Sequence, residues 1–152
     1  MRKKSLSVKK IIPKKNLLKI SDKKINNIYQ RFKKNIVLLN NKSKFSAGIS
    51  GGPDSMALAY FLKLYSLEKK IRINYYHVDH GLRNSSKYEA LMVKKKLKLY
   101  NINLKILKWK GQKPKSNIQS KARKSRYDLI NGKLNKNLIN IIFLGHTEDD
   151  LI

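Results

Sequence analysis

The chain of 152 residues contains no cysteine. That excludes disulfides, thiolate metal sites and any cysteine-borne sulfur chemistry within these residues, and it fits a reducing, cytoplasmic setting, the expected location. Acids are scarce too. Nine Asp and Glu stand against 36 Lys and Arg, a formal net charge of +27. Long apolar runs are also missing: nothing approaches the roughly 18 consecutive apolar residues of a membrane span. The opening stretch, MRKKSLSVKKIIPKKNLLKI, is basic, but its apolar runs are too short and broken for a signal peptide's core. A soluble protein with no membrane partner is expected.

What remains is enough for a folded unit. The length suits one domain or a piece of a larger protein, and 41% hydrophobic residues can fill a core. The positive charge has two readings. A polyanion releases counterions when basic residues neutralise its phosphates, so an RNA partner would suit it. Yet 30 of the 36 basic residues are lysine, and Asn and Ile are also abundant; an A+T-rich coding sequence would produce that on solvated faces without any partner.

Residues 1–20 read as a basic N-terminal arm and residues 21–152 as the domain. Ser21-Asp22 can cap a helix carrying Ile25, Ile28, Phe32 and Ile36 at helical spacing. Strand-like runs then fall at Phe45–Ile49, Ile71–Val78, Leu104–Trp109 and Ile139–Leu144. Helical patterns lie between them, at about residues 55–69, 86–100 and 117–134. This alternation predicts an α/β fold: a Rossmann-like parallel sheet with helices on both faces. Ligands of such sheets bind beyond the carboxyl ends of the strands. Five of the nine acids (Asp54, Asp79, Glu148, Asp149 and Asp150) fall in those post-strand loops. They are either cation ligands or ordinary loop and cap residues. The single Trp109 and the Tyr75-Tyr76 pair read as core or edge positions.

The first post-strand loop, Ser50-Gly51-Gly52-Pro53-Asp54-Ser55, is the most informative. Its glycines permit positive φ and close approach of backbone N–H groups to a ligand. Pro53 suits the first turn of a helix, whose free N–H groups favour an anion. The loop lacks both the lysine and the spacing of the G-x-x-x-x-G-K-[ST] phosphate loop. An aspartate beside phosphate calls for a divalent cation between them, so Asp54 reads as a Mg²⁺ ligand or, failing that, as a simple helix cap.

This loop resembles the S-G-G-x-D-S loop of the ATP-pyrophosphatase (PP-loop) superfamily, whose members cleave ATP between its α and β phosphates. Three further stretches narrow the resemblance: HVDHGLR (His77 to Arg83), ARKSRY (Ala122 to Tyr127) and GHTEDDLI (Gly145 to Ile152). Together, over roughly residues 40–152, they resemble the N-terminal catalytic domain of the tRNA(Ile)-lysidine synthetases, which share the adenine nucleotide α hydrolase-like fold. The resemblance implies a ligase of the cytoplasm that uses ATP and Mg²⁺ and acts on the CAU-anticodon tRNA(Ile). Its wobble cytidine is adenylated and then attacked by free lysine, giving lysidine, AMP and pyrophosphate. A thiolating relative, or a basic RNA-binding module without catalysis, is the alternative.

Carried onto this sequence, the resemblance assigns ATP binding to Ser50, Gly51, Gly52, Pro53, Asp54 and Ser55, with hydroxyls of Ser50 and Ser55 on the phosphates. It makes Asp54, Arg126, His146 and Asp150 the catalytic set and Asp54 and Asp150 the metal ligands. Arg126 would hold the adenylate phosphate, and His146 a phosphate or the adenylated base. Asp150, with Asp149 second, would contact lysine or metal, and Arg123 would touch RNA phosphate. Asp79 and His80 either take part directly or shape the turn before Gly81. The family pattern continues past Ile152 with a glutamate and further helices, so a C-terminally truncated domain is expected. Oligomeric state is left open, a homodimer included.

Overall fold

A computed structural model describes residues 19–39, 44–111, 116–137 and 141–145. Helix α1 (Lys23–Val37) begins where the sequence places it: Asp22 accepts a hydrogen bond from the Ile25 amide at 2.9 Å and satisfies one of the free donors of the first turn. The alternation follows as β1 (Phe45–Gly48), α2 (Pro53–Glu68), β2 (Ile73–Asp79), α3 (Ser86–Lys98), β3 (Leu104–Lys108), α4 (Ile118–Asn137) and β4 (Ile141–Leu144). The proposed basic arm lies almost wholly outside the described residues.

Helices α2 and α3 end alike. Ile71 N–H bonds to the Ser66 carbonyl across Lys70, which has φ 53°. Ile102 N–H bonds to that of Leu97, and Asn101 N–H to that of Lys98, with Asn101 at φ 55°. This left-handed closure satisfies the last carbonyls. It also drives Ile102, 2% exposed, into the core, which fixes where β3 starts.

All strand pairs are parallel, in the order β3-β2-β1-β4. Strand neighbours Tyr75 and Tyr76 point to opposite faces, as the period of two requires, and both are buried. On one face Phe45, Ala47, Ile73 and Tyr75 pack against Ile36 of α1, Ala59, Leu62 and Tyr65 of α2 and Leu97 of α3. On the other, Tyr76 and Val78 meet Ile130 and Leu134 of α4. Helix α1 is tied to α2 by Glu68, which accepts from the Tyr29 hydroxyl at 3.0 Å and the Lys33 ammonium at 3.1 Å. Among the described residues no helix is long and apolar enough to cross a membrane.

The strand order decides where a ligand can go. From β1 the chain steps to β2 and β3 on one side, then crosses to β4 on the other side of β1. The connections therefore diverge at the carboxyl ends of β1 and β4, the switch point at which such sheets open a crevice. The Ser50–Ser55 loop leaves β1 there.

Candidate active site

The loop is shaped by its own side chains. Ser55 is 2% exposed, and its hydroxyl donates to the Gly52 carbonyl at 2.9 Å while meeting the Gly51 N–H and the Ser50 hydroxyl, each at 3.0 Å. Ser50 Oγ in turn lies 3.4 Å from the Gly52 N–H. In this structure the two serine hydroxyls hold the loop together. Gly51 has φ +100°, and a Cβ there would stand 2.7 Å from a methyl of Val93 on α3. The position is closed to other residues by both conformation and space.

Gly52 is the N-cap of α2, and Pro53 takes the first helical position. Met56 N–H bonds to the Gly52 carbonyl, so the N–H groups of Asp54 and Ser55 are the open donors of the helix end. Across them runs the segment after β4: a Cβ on Gly145 would lie 2.8 Å from both the nitrogen and the Cα of Ser55. Asp54 is exposed in the first turn, and its carboxylate accepts no hydrogen bond among the described residues. It does not cap the helix, because Gly52 occupies that position.

Beyond Ser50 opens a cleft of about 610 Å³ at the carboxyl ends of β1, β2 and β4, walled by α3 and α4. Arg123 and Arg126 of α4 both line it, with Arg83 near the start of α3. Asp79, 8% exposed, accepts from the Gly81 N–H at 3.0 Å, so it does shape the turn named in the sequence, with Gly81 at φ +61°. His77 is buried, its Nδ1 2.7 Å from the Ile49 carbonyl. His80 reaches α4: its Nδ1 is 3.2 Å from Ser125 Oγ, and Ser125 donates to the Ala122 carbonyl at 3.0 Å. Burial, then Arg126 and His77, hold the His80 imidazole below the usual histidine range, against an opposing pull from Asp79.

Of the sequence-assigned site residues, Ser50 and Arg126 share this cleft. Gly51, Gly52, Pro53, Asp54 and Ser55 run on from Ser50 into α2. His146, Glu148, Asp149 and Asp150 lie outside the described residues, and with them half of the assigned metal pair. Among the described residues no three of His, Asp and Glu gather as a metal cluster.

A family model described as a PP-loop domain matches residues 17–152. The chain belongs to the PP-loop domain family. The expected fold, an α/β parallel sheet with helices on both faces, is the one observed. Among curated proteins, the chain is similar to the tRNA(Ile)-lysidine synthase of Bartonella henselae, 38% identical over 111 residues, which covers 72% of this chain and 22% of that protein. It is also similar to the tRNA(Ile)-lysidine synthase of Rickettsia bellii, 34% identical over 128 residues, 82% of this chain and 30% of the relative. The chain thus spans less than a third of the length of these relatives. Among solved structures, the U34-tRNA thiolase NcsA from Methanococcus maripaludis, with its [4Fe-4S] cluster, has the same fold at a TM-score of 0.65 and 24% identity, covering 83% of this chain and 46% of that one.

Three residues of this site were given no role from the sequence. Val93 sits inside an ordinary helical pattern and carries no local signal. Ser125 stands within the A-R-x-x-R-Y stretch but is hidden between its arginines. Gly145 was legible as a glycine directly after a strand, yet its closeness to Ser55 depends on the β1–β4 pairing.

Proposed function

We infer that the chain is the ATP-using part of a tRNA(Ile)-lysidine synthase. It would join free lysine to the wobble cytidine of CAU-anticodon tRNA(Ile) through an adenylated tRNA. The observation that carries this reading is the PP-loop at the sheet's switch point, opening into a cleft flanked by Arg123 and Arg126. The similarity to two lysidine synthases supports the choice of reaction.

The roles proposed for the residues are these. The pyrophosphate portion of ATP lies at the helix end, on the Asp54 and Ser55 N–H groups and the partial positive charge of α2. Arg126, on the cleft wall, takes the α phosphate in a forked contact. The cytidine carbonyl oxygen attacks the α phosphorus, the bond from it to the bridging oxygen breaks, and pyrophosphate leaves. Fixed backbone dipoles meet the charge that develops on that leaving group, often the largest catalytic contribution. The amine of lysine then bonds to the activated ring carbon and AMP departs. That amine must first lose a proton, since its ordinary pKa is about three units above neutral. Asp149 and Asp150 are the proposed carboxylates for lysine, and His146 the proposed contact to phosphate or base.

The Asp54 carboxylate, exposed and without a partner among the described residues, would suit one ligand position of a Mg²⁺ ion. Asp150 is the proposed second ligand. Bound there, the ion would neutralise charge on the phosphates. Sulfur transfer on these residues is not favoured: the likeness to the thiolase is one of fold, and the 152 residues hold no cysteine to carry sulfur.

The test is the product of ATP cleavage with lysine and tRNA present. Release of AMP and pyrophosphate, lost in Asp54→Ala with the fold retained, is the expected result. ADP and phosphate, or full turnover by Asp54→Ala, would overturn it.

A further inference from the structure

The PP-loop and the arginines leave one feature of the cleft unused. His80 lies in its wall, and its Nε2 is shut off from water without a hydrogen-bond partner among the described residues. A buried polar atom left unpaired is destabilising, and such atoms are rare enough to call for an explanation.

The other side of the ring fixes its chemistry. Ser125 Oγ lies 3.0 Å from the Ala122 carbonyl and 3.2 Å from His80 Nδ1. With its single hydrogen assigned to the carbonyl, Ser125 offers His80 a lone pair, and the proton of the neutral imidazole is assigned to Nδ1. Nε2 is left as a bare acceptor. Burial first, then Arg126 of α4 and His77 of β2, disfavour a second proton on the ring, and Asp79 opposes them.

We propose that His80 is a positioning residue for the nucleotide, its Nε2 accepting a hydrogen bond from a donor on the nucleoside part of ATP. This rests on the functional reading above, in which the cleft holds ATP. With the pyrophosphate at α2 and the α phosphate at Arg126, the nucleoside is the part left to lie along the carboxyl end of β2. Its donors are the ribose hydroxyls and the amino group of adenine.

The test is calorimetric binding of ATP with Mg²⁺, 2′-deoxy-ATP, 3′-deoxy-ATP and purine riboside triphosphate, which lacks the amino group. The proteins are the unaltered chain, His80→Ala and His80→Gln, each checked for fold by circular dichroism. His80→Ala should bind ATP about 2- to 10-fold more weakly, the effect of one neutral hydrogen bond. For the one analogue that lacks the relevant donor, the unaltered chain and His80→Ala should bind equally. His80→Gln, which returns an acceptor near the place of Nε2, should restore the discrimination between ATP and that analogue. Equal weakening with all four ligands, or no weakening with ATP, overturns the inference while leaving the nucleotide site standing. Failure of the unaltered chain to bind ATP overturns the functional reading and the inference with it.

Discussion

Replacing Gly51 by alanine introduces two separable penalties. The backbone at φ +100° is one that an L side chain rarely adopts, and holding a residue in such a sparsely populated region costs about 1–3 kcal/mol. The new Cβ also meets Val93 Cγ2 at 2.7 Å, and forcing an extra methyl into a packed site costs about 1–3 kcal/mol more. The sum, about 2–6 kcal/mol, is a large part of the 5–15 kcal/mol typical of a whole domain. A double-mutant cycle separates the parts. Val93→Ala removes the methyl that blocks the Cβ but leaves the dihedral strain. The pair should therefore show a favourable coupling of about 1–3 kcal/mol, within the range for residues in contact. Urea unfolding of the four proteins measures it, with ATP affinity read in parallel. Gly51→Ala within about 0.5 kcal/mol of the unaltered chain, the scatter of neutral surface changes, would refute the strain argument. Strict additivity would refute the Val93 contact.

Gly145→Ala should weaken nucleotide binding more than it lowers the melting temperature, because its Cβ would fall 2.8 Å from the Ser55 nitrogen, at the open end of α2; calorimetry and thermal unfolding together check this. Ser55→Ala should destabilise by about 1–3 kcal/mol, since the Gly51 N–H loses its acceptor and the Gly52 carbonyl its donor. Chemical denaturation reads that loss, and Ser55→Thr should recover part of it if the methyl fits. Stability should also fall with acid through His80. Its folded pKa is lowered, so below about 6.5 the unfolded chain binds the extra proton first and stability drops as pH falls. The groups acting on it are Arg126, His77 and Asp79. Melting curves from pH 7.5 to 5.5 should flatten in His80→Gln, and an unchanged slope would remove His80 as the cause.

The frame of this protein was readable because its signals are local. A β-run, a glycine pair, Pro53 and an apolar helix follow one another within about 20 residues, and each constrains the next. The helix ends came within a few residues of expectation, although α2 and α3 close on Lys70 and Asn101 rather than on glycine. The role of Asp79 in the turn before Gly81 was one of two readings left open, and the hydrogen bond to Gly81 N–H supports it. What could not be read depends on strand order. The approach of Gly145 to Ser55 requires β4 to pair with β1, and the contact of His80 with Ser125 joins residues 45 apart in sequence. Val93 beneath Gly51 is a matter of helix rotation against a loop, which hydropathy cannot resolve. Ser55, assigned to phosphate from the motif, is buried and engaged within the loop. A short motif names the residues of such a turn but not which of their groups face outward.

The most direct test of the central claim is nucleoside mass spectrometry. A CAU-anticodon tRNA(Ile) transcript would be incubated with ATP, Mg²⁺, lysine and this chain, alone and joined to the segment that follows the matched region in the Bartonella henselae relative. The account predicts a cytidine heavier by one lysine less one water, absent without ATP and absent in Asp54→Ala. An unmodified cytidine with both proteins, under conditions where each binds ATP and the tRNA, would contradict it.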